Sequence, residues 1–333
     1  MTKVSKESHS LDTLETTSDF ISNKSHERQY HKALQKFNTN LKLRRIIDTL
    51  THAQDTKKYW KTYHCNSVLL QSGNVFKGSL CRKRWCTHCC RIKTAEMTNA
   101  YKEPLLNLGN LYFVTLTRPN VKGRELKSEI RKLIKGFQKV KDNMRKNYKM
   151  KLEGMRKIEV TYNEITDTYH PHFHLIQSNL VHAEKLKELW LEVFPSASSS
   201  AQDIRDIDTT NEKSFIELFK YATKENTSDG KQYSGAVLNT IYSSLEGMRI
   251  YQTYGSVRKS VKEPTEDKTE TRNFDWIEPK HEVWEFVHEQ KDWVDTYGNK
   301  LVNTLEHEYE QSTKRPTKIS QSNRHTYYIA DNE

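Results

Sequence analysis

The segment YHPHFHLI, residues 169–176, places three histidines at alternate positions of an otherwise largely apolar stretch. Side chains at positions i and i+2 of a β-strand point to the same face, so His172 and His174 can direct their imidazoles at one point. Phe173 then enters the core on the other face. A lone histidine of this kind is more often a hydrogen-bonded core residue, but a pair at this spacing favours a metal site.

A carboxylate that can share this site lies on the preceding strand. The segment RKIEVTY reads as a β-strand, and the NEITDT that follows it has the composition of a hairpin turn. A turn centred between Thr166 and Asp167 places Glu159 directly opposite His174. A slip of one residue would move Glu159 to the other face of the sheet.

Two imidazoles and one carboxylate with open coordination positions suit Mg²⁺ or Mn²⁺. Such an ion acts as a Lewis acid on a phosphoryl oxygen. His170 lies on the same strand face as the other two histidines and is the alternative third ligand to Glu159. The sequence therefore predicts a metal site and leaves its third ligand open.

A second chemically suggestive pattern is the helical segment FIELFKYATK, residues 215–224, with Glu217, Tyr221 and Lys224 at positions i, i+4 and i+7. Residues at this spacing share one helix face, and an ordinary solvated stripe is the alternative interpretation. A tyrosine hydroxyl can attack a phosphodiester that a metal polarises and a cation flanks. Glu217, one turn earlier, could position or deprotonate a later nucleophile.

The elements that must position these residues alternate in hydrophobic period. LYFVTLT reads as a strand, and apolar residues from Leu126 to Met144 recur at helical intervals. The two hairpin strands follow, then an amphipathic helix, a short strand and a further helix. The order βαββαβ predicts an α+β domain with a ferredoxin-like antiparallel sheet, in which the first and third strands are central neighbours.

Composition divides the chain into six segments. We expect a disordered tail at 1–25, a helical segment at 26–58, a cysteine-rich zinc-binding module at 59–100, a catalytic domain at 105–258, a linker at 259–273 and a C-terminal extension of unknown role at 274–333.

The five cysteines cluster within a short stretch, which argues against a disulfide framework. Cys65, Cys81, Cys86 and Cys89 form a C-x15-C-x4-C-x2-C arrangement that can close a tetrahedral Zn²⁺ site. Cys90 or His88 could replace one of these ligands.

The charge balance suits a polyanionic partner, because 54 Lys and Arg stand against 43 Asp and Glu, a net charge of +11. Residues 122–151 hold twelve basic side chains against three acidic ones, although a solvated helix face explains this equally well. No run of 18 apolar residues occurs, so we expect a soluble cytoplasmic protein without a membrane partner. The candidate DNA contacts are Arg82, Lys83, Arg84, Arg91, Lys132, Lys135 and Lys139.

Three motifs in order, FVTLTRPNV at 113–121, HPHFHL at 170–175 and KYATK at 220–224, resemble the rolling-circle plasmid replication initiators of the HUH endonuclease superfamily. The likeness is greatest to the single-tyrosine branch with a cysteine cluster ahead of the catalytic domain. It extends over about residues 60–258 and includes LEGMRIYQTYG, which is similar to the closing helix of that branch.

The resemblance implies that His172 and His174 hold the catalytic metal and that Tyr221 nicks one strand. Tyr221 would become joined to the 5′ phosphate and leave a 3′ hydroxyl that primes synthesis. Lys224 would assist at the phosphate, and Glu217 would serve in termination. Thr115 and Thr117 match the first motif, in a supporting role.

The resemblance also implies partners: plasmid origin DNA, recognised as a duplex and cleaved as a single strand, and a host helicase and polymerase in the bacterial cytoplasm. A noncatalytic zinc-dependent DNA-binding repressor would use the cysteines and the basic helix but leave Tyr221 idle. A relaxase or transposase would apply the same chemistry to other DNA.

Overall fold

The computed structural model describes residues 17–72, 75–209, 219, 225–226, 230–260, 282–305, 317–319 and 327–329. Its helices in these ranges are α1 Thr17–Ile47, α2 Ala53–Tyr63, α3 Thr87–Leu106, α4 Gly123–Asn147, α5 Leu180–Val193 and α6 Gly235–Ser244. Its strands are β1 Val68–Ser72, β2 Val75–Gly78, β3 Tyr112–Thr117, β4 Gly154–Asn163, β5 Thr168–Gln177, β6 Asp203–Asp206, β7 Tyr251–Tyr254, β8 Glu282–Val287, β9 Asp292–Val294, β10 Thr317–Ile319 and β11 Tyr327–Ile329. The α+β class predicted from the sequence is confirmed. Within the described ranges, every helix is too short or too polar to cross a membrane.

The expected tail and the expected linker fall mostly outside the described residues. Residues 1–16 belong to the expected tail, and α1 begins at Thr17, within that tail. Residues 261–281 include most of the expected linker.

The chain divides into two compact units. The larger unit comprises residues 39–65 and 80–278, and the smaller comprises residues 1–38, 66–79 and 279–333. A five-stranded antiparallel sheet in the order β6-β3-β5-β4-β7 forms the centre of the larger unit. From β3 to β6 the elements follow the expected order βαββαβ, and the first and third strands of that series, β3 and β5, are paired neighbours.

One face of this sheet packs against helices α4, α5 and α6 in the main core. The side chain of Phe173 is fully buried there, with its ring centroid 5.5 Å from that of Phe137 on α4 and 6.1 Å from that of Trp190 on α5. The apolar positions of α4 recur every three or four residues, so one stripe of the helix can face the sheet. These buried positions are Leu126, Ile130, Leu133, Phe137, Val140 and Met144.

The opposite face of the sheet is apolar at one end and polar at the other. At the apolar end, Met97, Tyr101 and Leu105 of α3 join a buried cluster with Phe113, Met155, Ile176 and Phe219. At the polar end are the histidines at 172 and 174 and the glutamate at 159, because residues two apart on a strand share a face. The predicted placement of Phe173 behind the histidines agrees with this arrangement.

The β4–β5 hairpin differs from the expected register by two residues. Glu159 lies opposite His172, not His174, and Lys157 lies opposite His174. The loop is shifted because the Asn163 side chain accepts hydrogen bonds from the backbone N–H groups of two loop residues, Ile165 and Thr166. A shift of two residues keeps every side chain on its original face, so Glu159 still shares the face of the histidines.

The segment expected to be the closing helix is instead the edge strand β7. It pairs with β4, and its register sets Tyr251 opposite Lys157. Helix α6 ends earlier, at Ser244, and Gly247 follows with a φ of 76°. A positive φ is readily adopted by glycine and ends the helical path, so the chain can turn back along the sheet edge.

The smaller unit contains a four-stranded sheet in the order β2-β1-β8-β9. The indole nitrogen of Trp284 donates to Gln71 Oε1 at 2.8 Å, and that of Trp293 donates to the carbonyl of Asn66 at 2.8 Å. These bonds satisfy the polar ends of two largely buried aromatic side chains. Strands β10 and β11 form a separate antiparallel pair.

Candidate metal centres and their surroundings

The polar end of the sheet face gathers one carboxylate and two imidazoles. Candidate ligand atoms of Glu159, His172 and His174 all lie within 4.8 Å of one another. The two Nε2 atoms are 3.1 Å apart, and each is 3.9 Å from one oxygen of the Glu159 carboxylate. Ligands about 2.1 Å from an octahedral ion are separated by about 3.0 Å when adjacent and about 4.2 Å when opposite. The spacing of the three side chains therefore suits ligands of one metal ion.

The hydrogen bonds behind the imidazoles favour a cation between them. His172 Nδ1 lies 3.0 Å from the carbonyl oxygen of His170, and because a carbonyl only accepts, this nitrogen carries the proton. His174 Nδ1 lies 3.2 Å from Thr115 Oγ1 and can donate to it. In that tautomer both Nε2 lone pairs face the site and are available to a metal ion, as in sites where outer hydrogen bonds orient histidine ligands.

The structure distinguishes the two candidates for the third ligand. Glu159 belongs to the three-residue group, whereas His170 does not. The His170 ring instead stacks on His172, with the ring centroids 4.9 Å apart. Burial, with a smaller effect of His172, lowers the pKa of His170 to about 4. Glu159 is therefore the third member of this candidate metal site.

A buried lysine also contacts the site. Lys157 Nζ lies 3.0 Å from Glu159 Oε2, and both side chains are nearly inaccessible to solvent. Burial alone would raise the pKa of the Glu159 carboxyl, but Lys157 and the two imidazoles outweigh burial, so the pKa falls below its ordinary value. The carboxylate is thus held in the charged form that binds metal.

The four expected cysteines form a second cluster. Sγ of Cys65 lies 3.6 Å from that of Cys89 and 3.7 Å from that of Cys86, and Cys81 Sγ lies 3.7 Å from Cys89 Sγ. All four thiols are free, without disulfide bonds. Sulfur atoms about 2.3 Å from a tetrahedral Zn²⁺ are about 3.8 Å apart, so the spacing fits such an ion. Hydrogen bonding from Cys65, together with Cys86 and Cys89, holds the pKa of Cys81 well below its ordinary value, which favours the thiolate.

Cys90 lies outside this four-cysteine centre. Its Sγ donates to the backbone carbonyl of Arg84 at 3.0 Å, and burial raises the pKa of its thiol. The other alternative ligand, His88, is likewise not in the group of four. Among the described residues, the candidate ligands of this centre are therefore the four cysteines of the C-x15-C-x4-C-x2-C arrangement.

A family model described as a replication protein matches residues 72–302, more than half of the chain. The chain belongs to the replication protein family. This membership confirms the resemblance to rolling-circle plasmid replication initiators.

Several curated proteins are similar to this chain over part of its length. A Protein rep of Staphylococcus aureus is 28% identical over 187 residues, which cover 49% of this chain and 80% of the relative. A Protein rep of Bacillus amyloliquefaciens is 25% identical over 222 residues, covering 56% of this chain and 65% of the relative. A Protein rep of a Bacillus species is 25% identical over 224 residues, which cover 57% of this chain and 72% of the relative. No solved structure matches the chain significantly.

Basic side chains surround the cysteine centre of this replication protein. A groove beside Cys89 is lined by Arg82, Lys83 and Lys93. Arg91, near the start of α3, is exposed. Arg84 differs, because its guanidinium donates to the backbone carbonyls of residues 245 and 248. Its charge thus serves a contact inside the fold.

The lysines expected on α4 lie on a different side of the sheet. Lys132, Lys135 and Lys139 are exposed, and the opposite side of their helix packs in the main core with Phe173. Glu159, His172 and His174 lie on the opposite face of the sheet. These three lysines are therefore separated from the candidate metal site by the sheet itself.

The expected reacting residues Tyr221, Glu217 and Lys224 lie outside the described residues. The described residue nearest to Tyr221 in the sequence is Phe219. Its side chain is fully buried in the cluster on the sheet face that carries the candidate metal ligands. Its carbonyl accepts hydrogen bonds from Thr94 Oγ1 at 3.0 Å and from the Tyr251 hydroxyl at 2.9 Å.

On the other side of that gap, Glu225 is held by two side chains. Lys42 Nζ lies 2.6 Å from Glu225 Oε1, and the Tyr242 hydroxyl donates to the same oxygen at 2.7 Å.

Sequence reasoning missed Lys157, Thr94 and Tyr251. Lys157 could have been predicted, because residues two apart on a strand share a face and Lys157 is two residues from Glu159. Thr94 and Tyr251 contact Phe219 only through tertiary structure, which the sequence pattern does not indicate.

Proposed function

We propose that this member of the replication protein family initiates rolling-circle replication by nicking and rejoining one strand of plasmid origin DNA, with Tyr221 as the nucleophile. The observation that carries the proposal is the place of Phe219. It is buried on the sheet face that holds the Glu159, His172 and His174 group, two residues before Tyr221. Two residues of chain span at most about 7 Å.

The reaction is a transesterification. The Tyr221 oxygen attacks the phosphorus of the scissile phosphodiester and loses its proton, and a bond forms between tyrosine and the 5′ phosphate. The bond from phosphorus to the 3′ oxygen breaks, and this oxygen takes up a proton to become the 3′ hydroxyl that primes synthesis. In the joining step a 3′ hydroxyl attacks the phosphotyrosine and releases the tyrosine.

Glu159, His172 and His174 would hold Mg²⁺ or Mn²⁺. When bound, that ion withdraws electron density from a phosphoryl oxygen and so assists attack by a weak phenol nucleophile. Thr115 holds His174 in the orientation that such a ligand needs. The Lys224 ammonium stabilises the additional charge on the phosphate as the tyrosine attacks.

Glu217 acts at the end of the cycle. It lies one helical turn before Tyr221 in the sequence, and a carboxylate there can remove a proton from water. Hydrolysis of the last phosphodiester then releases the protein without a second covalent intermediate. The division of labour gives Tyr221 the first cleavage and Glu217 the last.

The cysteine centre would bind Zn²⁺ and support the DNA-binding surface. Arg82, Lys83 and Arg91 around it are available to phosphates, whereas contacts by Lys132, Lys135 and Lys139 would require DNA on the other side of the sheet. We infer duplex origin recognition, single-strand cleavage, and hand-over to a host helicase and polymerase. The proposed substrate and the reduced cysteines both favour the bacterial cytoplasm.

Incubation with supercoiled origin plasmid and Mn²⁺ tests the proposal. We expect nicked circles and a protein–DNA adduct that survives denaturation, both lost in Tyr221→Phe. Tyr297→Phe, at a highly exposed tyrosine of the smaller unit, is the matched control and should retain both. Binding without any adduct would support a zinc-dependent repressor instead. An adduct that persists in Tyr221→Phe would overturn the nucleophile assignment.

Two further comparisons refine the assignment. Glu217→Ala should leave the first nick intact and impair release after one round, whereas equal loss of both steps would exclude a role in termination. Preferred cleavage of a transfer origin or a transposon end over the plasmid origin would favour a relaxase or a transposase.

A further inference from the structure

An ammonium group contacts the one carboxylate of the Glu159, His172 and His174 group in the part of the chain that the structure describes. Lys157 Nζ lies 3.0 Å from Glu159 Oε2, the oxygen that is also 3.9 Å from His174 Nε2. In the sheet register Lys157 lies opposite His174, so its side chain belongs to the same face as the ligands. Both members of the ion pair are buried.

This pairing leaves the ligand set without net negative charge. The imidazoles are neutral when they bind a metal, and the ammonium offsets the Glu159 carboxylate. A divalent ion at Glu159 would share the carboxylate with a buried positive charge, and such like charges repel strongly where water is excluded. From this charge balance we expect the protein alone to bind Mg²⁺ or Mn²⁺ weakly.

A phosphodiester supplies the missing negative charge. Mg²⁺ sites commonly combine one or two protein carboxylates with phosphate oxygens of the substrate. A DNA phosphate at this site would attract both the metal and the Lys157 ammonium, so DNA and metal would each improve binding of the other. Such mutual improvement is a coupling free energy and must be equal in both directions.

We propose that Lys157 makes metal binding depend on bound DNA, so that the metal site is filled efficiently only when a phosphodiester is present. The proposal deepens the proposed function, because it assigns a control residue to the same site. It adds a thermodynamic role that is measurable without strand cleavage.

The test measures Mn²⁺ affinity by electron paramagnetic resonance of free Mn²⁺, with zinc-loaded full-length protein. Titrations are made with and without a single-stranded oligonucleotide from the plasmid origin, in a Tyr221→Phe background that prevents cleavage. We expect the oligonucleotide to tighten Mn²⁺ binding about tenfold or more, within the usual range of such coupling. Glu159→Gln serves as the baseline that lacks the site.

At an alkaline pH chosen to keep the Glu159 carboxyl ionised once its lysine partner is removed, Lys157→Met should bind Mn²⁺ about tenfold more tightly than the parent protein in the absence of DNA, and the effect of the oligonucleotide should shrink to less than threefold. Lys157→Arg keeps the charge and should behave like the parent. If Lys157→Met does not fold, Lys157→Gln provides the neutral variant, and melting curves of the zinc-loaded proteins verify the fold of each.

Equal or weaker Mn²⁺ binding by a folded neutral variant without DNA would overturn the proposal. So would coupling that survives in that variant. The adduct assay with the unaltered tyrosine distinguishes this failure from failure of the proposed function: an adduct formed by the parent protein upholds nicking even when Mn²⁺ and DNA bind independently.

Discussion

Glu159 lies opposite His172 across the β4–β5 ladder, and a carboxylate oxygen is 3.9 Å from the imidazole Nε2. This relationship, with His174 two residues further along the same strand face, favours Glu159 over His170 as the third ligand. Glu159 belongs to the three-residue group, whereas the His170 ring stacks on His172.

Replacement of the carboxylate should therefore remove metal binding. For Glu159→Gln we expect Mn²⁺ affinity to fall at least about a hundredfold in the presence of DNA, because loss of a direct ligand should exceed the roughly 10–100-fold effect of outer partners. His170→Asn is the matched control and should change the affinity less than about threefold. The reverse result, measured by Mn²⁺ titration, would make His170 the third ligand.

The hydroxyl of Thr115 should tune the same affinity without touching the metal. Thr115→Val preserves the shape of the side chain and removes the partner of His174 Nδ1, so we expect a roughly tenfold loss of Mn²⁺ affinity. Thr161→Val, opposite His170 in the same hairpin, should have little effect. Similar affinities for the two variants would show that Thr115 does not orient His174.

The cysteine centre should bind one zinc ion through four thiolates. Cys89→Ser should reduce the zinc content from about one ion per chain to near zero and lower the melting temperature, because zinc affinity contributes to folding. Cys90→Ser should retain the zinc, since the Cys90 thiol contacts a backbone carbonyl instead. Zinc measured after gel filtration tests this, and loss of zinc from Cys90→Ser would contradict the four-cysteine assignment.

The two hydrogen bonds to the Phe219 carbonyl should position the proposed nucleophile. Tyr251→Phe removes the bond from the edge strand, and we expect the rate of adduct formation in a single turnover to fall roughly tenfold, because small displacements of a reacting group are costly. Affinity for uncleaved oligonucleotide should not change.

Tyr254→Phe is the control for that experiment. Its hydroxyl also donates to a backbone carbonyl, that of Ile176, and it lies on the same strand but in the other core. Equal rates for the two variants, with equal melting temperatures, would exclude a positioning role of Tyr251. Thr94→Val and Thr98→Val form a second matched pair on α3, because only Thr94 contacts Phe219.

The sequence predicted that Glu159, His172 and His174 lie together on one face of the sheet, in spite of an error in its register. The expected pairing of Glu159 with His174 was wrong by two residues. Because side chains alternate with a period of two, an error of two residues leaves the same groups on the same face. The prediction therefore depended only on which residues alternate onto the same face of each strand. A change of two residues in the register does not alter that.

The details of that loop could not be read from hydrophobic periodicity. Asn163 accepts hydrogen bonds from the N–H groups of Ile165 and Thr166, and Asp167 has a φ of 47°. These local side-chain and backbone preferences select among several turns that the same residues allow. Lys157 was missed for a different reason: a lysine on a strand is normally solvated, and only the folded structure shows its buried ion pair with Glu159.

The pairing of β1 with β8 has a consequence for synthesis of the chain on the ribosome. Trp284 and Gln71, which are hydrogen-bonded across this pair, are separated by 213 positions. At bacterial elongation rates of about 5–20 residues per second, β8 follows β1 after roughly 10–40 seconds. The edge of β1 that pairs with β8 therefore stays without its partner strand until all the residues of the five-stranded sheet have been synthesised, a delay in which an exposed strand edge is open to pairing with other chains.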